Sequence, residues 1–132
     1  MSAGASGFDL VACNTELIKI LPGKTALIPT GVAVQIPEGF EGQIRPRSGL
    51  AFKDSVTVLN APGTIDSDYR GEILVLLINH GEDVFYVGRE KRIAQLVIVP
   101  ISTAELEQVD SLDDSVRDEK GFGSTGCKAH TS

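Results

Sequence analysis

Three short segments combine residue types that could bind and cut a phosphate ester. The first, Pro46-Arg47-Ser48-Gly49-Leu50-Ala51, sets a guanidinium and a hydroxyl beside a possible helix start. That grouping suits an anion, because Arg forks onto phosphate oxygens and the first amides of a helix point outward without partners. An ordinary loop with a surface arginine has the same composition. The second segment runs from Asn60 through Gly63, Thr64, Ile65, Asp66, Asp68 and Tyr69 to Glu72, a hairpin-like stretch with two acids at its tip. Acids at turns commonly bond their own backbone; a carboxylate beside bound phosphates can instead act as general base, taking a proton from water as it attacks phosphorus. Pattern alone leaves both open. The third segment, Gly121-Phe122-Gly123-Ser124-Thr125-Gly126, has the glycine spacing of a dinucleotide-binding turn, yet six residues beyond Gly126 cannot supply the βαβ unit that such a turn needs. What survives is a run of backbone N–H groups able to wrap a phosphate. A flexible terminus would have similar glycine content, but Phe122 tilts the balance, since an aromatic ring in such a segment finds its use by stacking, and a nucleobase is a natural partner.

The elements that must position these segments read as strands. Apolar residues recur at every second position in Ala26 and Ile28, in Val32, Val34 and Ile36, in Val56 and Val58, in Phe85 and Val87, and in Leu96 and Ile98. Turn residues punctuate them at Pro22-Gly23, Thr30-Gly31, Pro37-Glu38-Gly39, Pro62-Gly63, His80-Gly81 and Val87-Gly88. The continuous apolar run from Ile73 to Ile78 predicts a strand covered on both faces. An all-β sandwich or barrel of many short strands follows. Gly49 to Val56 is long enough for about two helical turns. Ser102-Thr103-Ala104-Glu105 has the form of a capping box, but Leu106, Val109 and Leu112 are too sparse to define a buried helix face, so an extended arm is the alternative. From Glu105 to Lys120 the chain is polar and acidic and cannot build a core.

With 132 residues, 42% of them hydrophobic, one domain is expected over 1–132, with a core at about 5–101 and an arm from about 102. No apolar run reaches the roughly 18 residues of a membrane span, and Met1 to Gly7 has no secretion signature, which points to a cytoplasmic protein without membrane contact. Cys13, Cys127, His80 and His130 fall in no zinc-ligand spacing, and the cysteines read as reduced thiols. A formal charge of −6 disfavours a nucleic-acid-binding surface, which needs many phosphate-neutralising cations. It leaves room for a small anionic ligand in one local cleft.

Taken in order, five segments resemble the motifs of the trimeric dUTPase family: Ala5 to Leu10, Pro46 to Ala51, Gly63 to Gly71, Arg92 to Leu96, and the stretch ending in Gly121 to Gly126. The resemblance implies a jelly-roll-like β-sandwich that forms a homotrimer, each active site drawing on all three subunits and on a swapped C-terminal arm. It implies hydrolysis of dUTP to dUMP and pyrophosphate. Asp66 would be the general base for in-line attack on the α-phosphorus. Tyr69 would lie against the deoxyribose and exclude a 2′-hydroxyl. Asn60, Gly63, Thr64, Ile65 and Leu74 would meet the uracil edge, with backbone groups of fixed polarity rejecting cytosine. Arg47, Ser48, Gly49 and Gln95 would hold the phosphates; Arg117, Gly123, Ser124 and Thr125 would close over them, and Phe122 would stack on uracil. Asp9 would support the site. Magnesium would ride on triphosphate oxygens and water, with no all-protein cage required.

Two departures from the family pattern stand out. Its fifth motif reads R-G-x-G-G-F-G-S-T-G, whereas Arg117 here is followed by Asp118, Glu119 and Lys120, predicting a stiffer arm. Members also carry a strand before the first motif where this chain has Met1 to Gly4, so either a start upstream of Met1 or an exposed sheet edge is expected. Two rivals remain. A dCTP deaminase-like enzyme of the same fold usually has a second serine where Gly49 stands. A non-catalytic nucleotide-binding jelly-roll would have no need of both Asp66 and Tyr69.

Overall fold

The period-two patterning becomes nine short strands and one helix in the computed structural model, which describes residues 3–121. The strands are β1 (Phe8–Val11), β2 (Ile18–Ile20), β3 (Thr25–Pro29), β4 (Phe40–Arg45), β5 (Val56–Val58), β6 (Gly63–Ile65), β7 (Leu74–Asn79), β8 (Phe85–Val87) and β9 (Arg92–Pro100). The helix α1 spans Ser48–Asp54 and stops where Ser55 turns left-handed (φ 57°), which frees Val56 to enter β5. Every pairing is antiparallel: β1-β9-β4-β6 form a four-stranded sheet, β3-β7-β5 a three-stranded sheet, and β2-β8 a ribbon. Their inward side chains, among them Leu10, Ile28, Ile44, Val58, Val75, Leu77, Phe85 and Leu96, make one apolar cluster, the centre of a β-sandwich. Asn14, Thr30 and Asn79 are the buried polar side chains among the described residues, and fully buried Asn79 is satisfied: its amide donates to the carbonyls of Ile20 and Asp83, both at 2.8 Å, and its Oδ1 accepts from Gly81 N–H.

Three details differ from the patterning. Val32 to Ile36 joins no sheet among the described residues; the segment is extended and sinks inward until Ile36 is buried, and its Val32 carbonyl accepts from Ile73 N–H at 2.8 Å. Alternation reported burial there, not ladder pairing. Among the described residues the Ile73 to Ile78 run is fully covered on one face only, since Val75 and Leu77 are buried while Leu74 is 44% exposed and Leu76 and Ile78 are half-buried. Ser102 to Glu105 opens no helix: residues 102–120 form neither helix nor strand and are exposed, with no apolar stripe to dock.

Candidate active site

Edge position makes the central cleft. In the four-stranded sheet β6 pairs with β4 on one side, in the register Ile65–Gly42, Thr64–Gln43 and Gly63–Ile44, and among the described residues has no strand on the other. An edge strand presents backbone donors and acceptors in a fixed order. Beside that edge lies a cleft of about 250 Å³ lined by Ile44, Asn60, Gly63, Thr64, Ile65, Asp66, Tyr69, Glu72, Ile73 and Leu74. Asn60, Gly63, Thr64, Ile65, Asp66, Tyr69 and Leu74, all singled out from sequence, thus meet in one place.

The expected hairpin is instead a loop between sheets, since β6 pairs with β4 and β7 with β3 and β5, and the loop is held by its own bonds. Tyr69 N–H donates to the Asp66 carbonyl at 3.1 Å, closing a turn, and Tyr69 Oη donates to the Glu72 carbonyl at 2.7 Å. Arg70 folds back so that Nη1 donates to the carbonyls of Ser67 (2.6 Å) and Tyr69 (3.2 Å). Gly71 lets the Tyr69 ring lie against the backbone, because a Cβ there would sit 2.5 Å from Tyr69 Oη and 2.7 Å from Cζ and would force the ring to move. The Asp66 side chain is exposed, and it lines both this cleft and a wider depression of about 980 Å³ formed with Gln35, Ile36, Pro37, Glu38, Ser67, Asp68 and Arg70. No cation ties it down, since the ion pair found among the described residues joins Arg92 and Asp9 instead.

The remaining candidates group elsewhere on the chain. Gln95 on β9 stands opposite Asp9 on β1 and Arg45 on β4, so the sheet register sets the three in a row. Gln95 Nε2 donates to the Pro46 carbonyl at 3.3 Å, and Gln95 lines a separate shallow cleft of about 410 Å³ with Gln43, Arg45, Pro46, Ala61 and Pro62. Arg47, at the N-cap of α1, donates to the Arg92 carbonyl at 3.4 Å. No side chain caps that helix, which leaves the first amides around Ser48 and Gly49 without a capping partner. Asp9 pairs with the Arg92 guanidinium at 3.6 Å with both side chains about half exposed or more, a contact that orients more than it stabilises. Asp9, Arg92 and Arg47 are thereby linked. No residue lines both the Asn60–Leu74 cleft and the Gln95 cleft.

Arg117 is not brought to either cleft. Its Nε donates to the Lys120 carbonyl at 2.6 Å within a turn where Asp118 adopts φ 47°, so an Asp takes the left-handed conformation at a position where the family pattern has glycine. Phe122, Gly123, Ser124 and Thr125 lie outside the described residues. Among the described residues no three Asp, Glu, His or Cys side chains gather as a metal cage, and no helix is long and apolar enough to cross a membrane. The sequence reading placed Gly71 and Glu72 in the segment but gave them, and Arg70, no role; the contacts of all three with the Tyr69 loop come from the structure.

Fold and site together define an all-β sandwich protein with a small-ligand cleft at a free strand edge and an acid at its mouth. The dUTPase family model matches residues 1–126, and the chain belongs to the dUTPase family, whose fold is a jelly roll. It is 56% identical over 130 residues to a deoxyuridine 5'-triphosphate nucleotidohydrolase of Methylocella silvestris, covering 97% of this chain and 81% of that one. A Rhizobium johnstonii protein of the same description is 54% identical over 127 residues, with coverage of 95% and 81%. Among solved structures, the Staphylococcus bacteriophage 80alpha dUTPase with dUPNHPP superposes with a TM-score of 0.85 at 32% identity, covering 96% of this chain and 89% of that one. A mutant dUTPase of phage phi11 of S. aureus, described as coordinating a structural Mg(II) ion, gives 0.72 at 28% identity, with coverage of 83% and 86%.

Proposed function

We propose that the chain is a dUTP diphosphatase acting in the cytoplasm, hydrolysing dUTP to dUMP and pyrophosphate with a water that Asp66 activates. The cleft at the free edge of β6 carries this reading. At about 250 Å³ it falls below the roughly 300–1,000 Å³ of sites that enclose a whole ligand, so it suits the nucleoside end of a longer molecule. Uracil offers an N–H between two carbonyl oxygens, a pattern that a strand edge and the Asn60 amide can complement and that cytosine breaks. Tyr69 closes the sugar side against a 2′-hydroxyl. Asp66, lining both the cleft and the wider depression, is suited to the junction between nucleoside and phosphates. Its carboxylate takes a proton from water while the water oxygen bonds the α-phosphorus; the bond from that phosphorus to the bridging oxygen breaks, and pyrophosphate leaves.

A homotrimer fits the two clefts, which share no lining residue although their linings alternate along Gln43 to Arg45 and Asn60 to Gly63. Arg47, Ser48, Gly49 and Gln95 of one subunit hold the phosphates of a nucleotide whose base lies in the Asn60–Leu74 cleft of another. Arg117, Phe122, Gly123, Ser124 and Thr125 arrive on a third subunit's arm. The half-covered outer face of β7 and the exposed Leu27 of β3 are apolar surface of the kind subunits bury. Magnesium fits the donors present: Asp66 and Asp68 supply hard carboxylate oxygens to the wide depression but no full cage, so they would hold the ion through water beside the triphosphate. When bound, the ion neutralises phosphate charge. The test is a panel of dUTP, UTP, dTTP and dCTP, following pyrophosphate with and without magnesium. Preferential, magnesium-dependent turnover of dUTP is expected. Equal turnover of UTP, or ammonia released from dCTP, overturns the reading.

A further inference from the structure

We propose that Glu72 is a positioning residue for sugar selection, fastening the Tyr69 loop to the Thr30–Val32 segment; this rests on the reading of the cleft given above. Tyr69 Oη donates to the Glu72 carbonyl at 2.7 Å, so the phenol sits wherever residue 72 holds that oxygen. Two legs fix residue 72. The inner leg is buried: Thr30 Oγ1 donates to the Ile73 carbonyl at 2.6 Å and Ile73 N–H donates to the Val32 carbonyl at 2.8 Å, with Thr30 4% and Ile73 0% exposed. The outer leg is the Glu72 carboxylate itself, whose Oε2 accepts from Gly31 N–H at 2.9 Å. Gly31 is a firm anchor. It lies in the left-handed region (φ 67°), and a Cβ there would approach Cys13 Sγ to 3.1 Å. Without the outer leg, residue 72 can pivot about the fixed Ile73, and the Tyr69 ring follows its carbonyl. Although Glu72 lines the cleft, Oε2 is committed to backbone, which makes positioning rather than proton transfer its role.

The experiment measures kcat/KM for dUTP and UTP with the full chain carrying Glu72→Ala or Glu72→Gln, each with Tyr69 or Tyr69→Phe, alongside thermal melting. Glu72→Ala should lower the dUTP-to-UTP preference about tenfold, since a sub-ångström to ångström shift of a substrate-facing group carries effects of that order. Glu72→Gln, whose amide oxygen can accept the same N–H, should recover most of it. In the Tyr69→Phe background the Oη link is gone, so Glu72→Ala should change the preference by less than about twofold. A merely structural Glu72 would lower the melting temperature and leave the preference alone. That result, or an equal loss of preference in both backgrounds, overturns the proposal. An unaltered chain with no preference for dUTP would instead refute the reading of the cleft and the proposal with it.

Discussion

Gly71→Ala isolates how closely Tyr69 is held. The new Cβ would stand 2.5 Å from Tyr69 Oη, whereas unstrained carbon contacts begin near about 3.5 Å, so the ring must retreat by about 1 Å. From 2.7 Å, such a retreat stretches the bond between Oη and the Glu72 carbonyl beyond hydrogen-bonding range. The stability cost is small: Tyr69 is 42% exposed, water can replace the lost partner, and one neutral hydrogen bond contributes about 0.5–1.5 kcal/mol. Melting should fall by no more than about 5 °C. Catalysis is less forgiving, because a misplacement of about 1 Å can cost up to about 100-fold. The expected outcome is a fall in kcat/KM for dUTP of about 10- to 100-fold in a protein that melts almost normally. Gly88→Ala is the control, since nothing lies within 4 Å of a Cβ there. Steady-state kinetics with circular dichroism melting decides the matter. A Gly71→Ala protein with unaltered kcat/KM would mean that the ring does not face substrate in the position it holds here.

Asp66→Asn should reduce kcat by about 10³-fold, equivalent to about 4 kcal/mol, while nucleotide affinity measured by calorimetry stays within about threefold. The fold should be untouched, because the turn uses the Asp66 carbonyl and the side chain is exposed; undiminished turnover would remove Asp66 from the mechanism. Deleting the chain from Arg117 onward should leave melting within about 2 °C, as residues 102–120 are exposed and build no core, yet abolish most dUTP turnover. Normal turnover by the truncated protein would make the arm dispensable.

The residues most legible in the sequence are those whose partners are close along the chain. Asn60 to Leu74 is one continuous stretch that crosses from β6 in one sheet to β7 in another, so motif order already implies proximity, and the cleft at β6 gathers that stretch. Gln95 is different. Its neighbours Asp9 and Arg45 come from strands far away in sequence, and only the register of β9 between β1 and β4 brings them into a row. Glu72 was harder still. In sequence it is one more surface carboxylate, and its partner is the backbone N–H of Gly31, 41 residues earlier, at a glycine that reads simply as a turn.

The segments where pattern and structure part are informative for the same reason. Apolar alternation reports which side chains leave water, not which backbone groups pair, so Val32 to Ile36 carries a strand's pattern while its Val32 carbonyl accepts from Ile73 N–H outside any ladder. The Ile73 to Ile78 run has the pattern of a strand covered on two faces, and the described residues cover one. Leaving Leu74, Leu76 and Ile78 against water would forgo about 25 cal/mol for each Å² of apolar surface that a neighbour could bury. A second copy pressed on that face would meet the demand the sequence makes, and would do so beside Leu74, at the wall of the cleft itself. Assembly and substrate binding would then be coupled through the same strand.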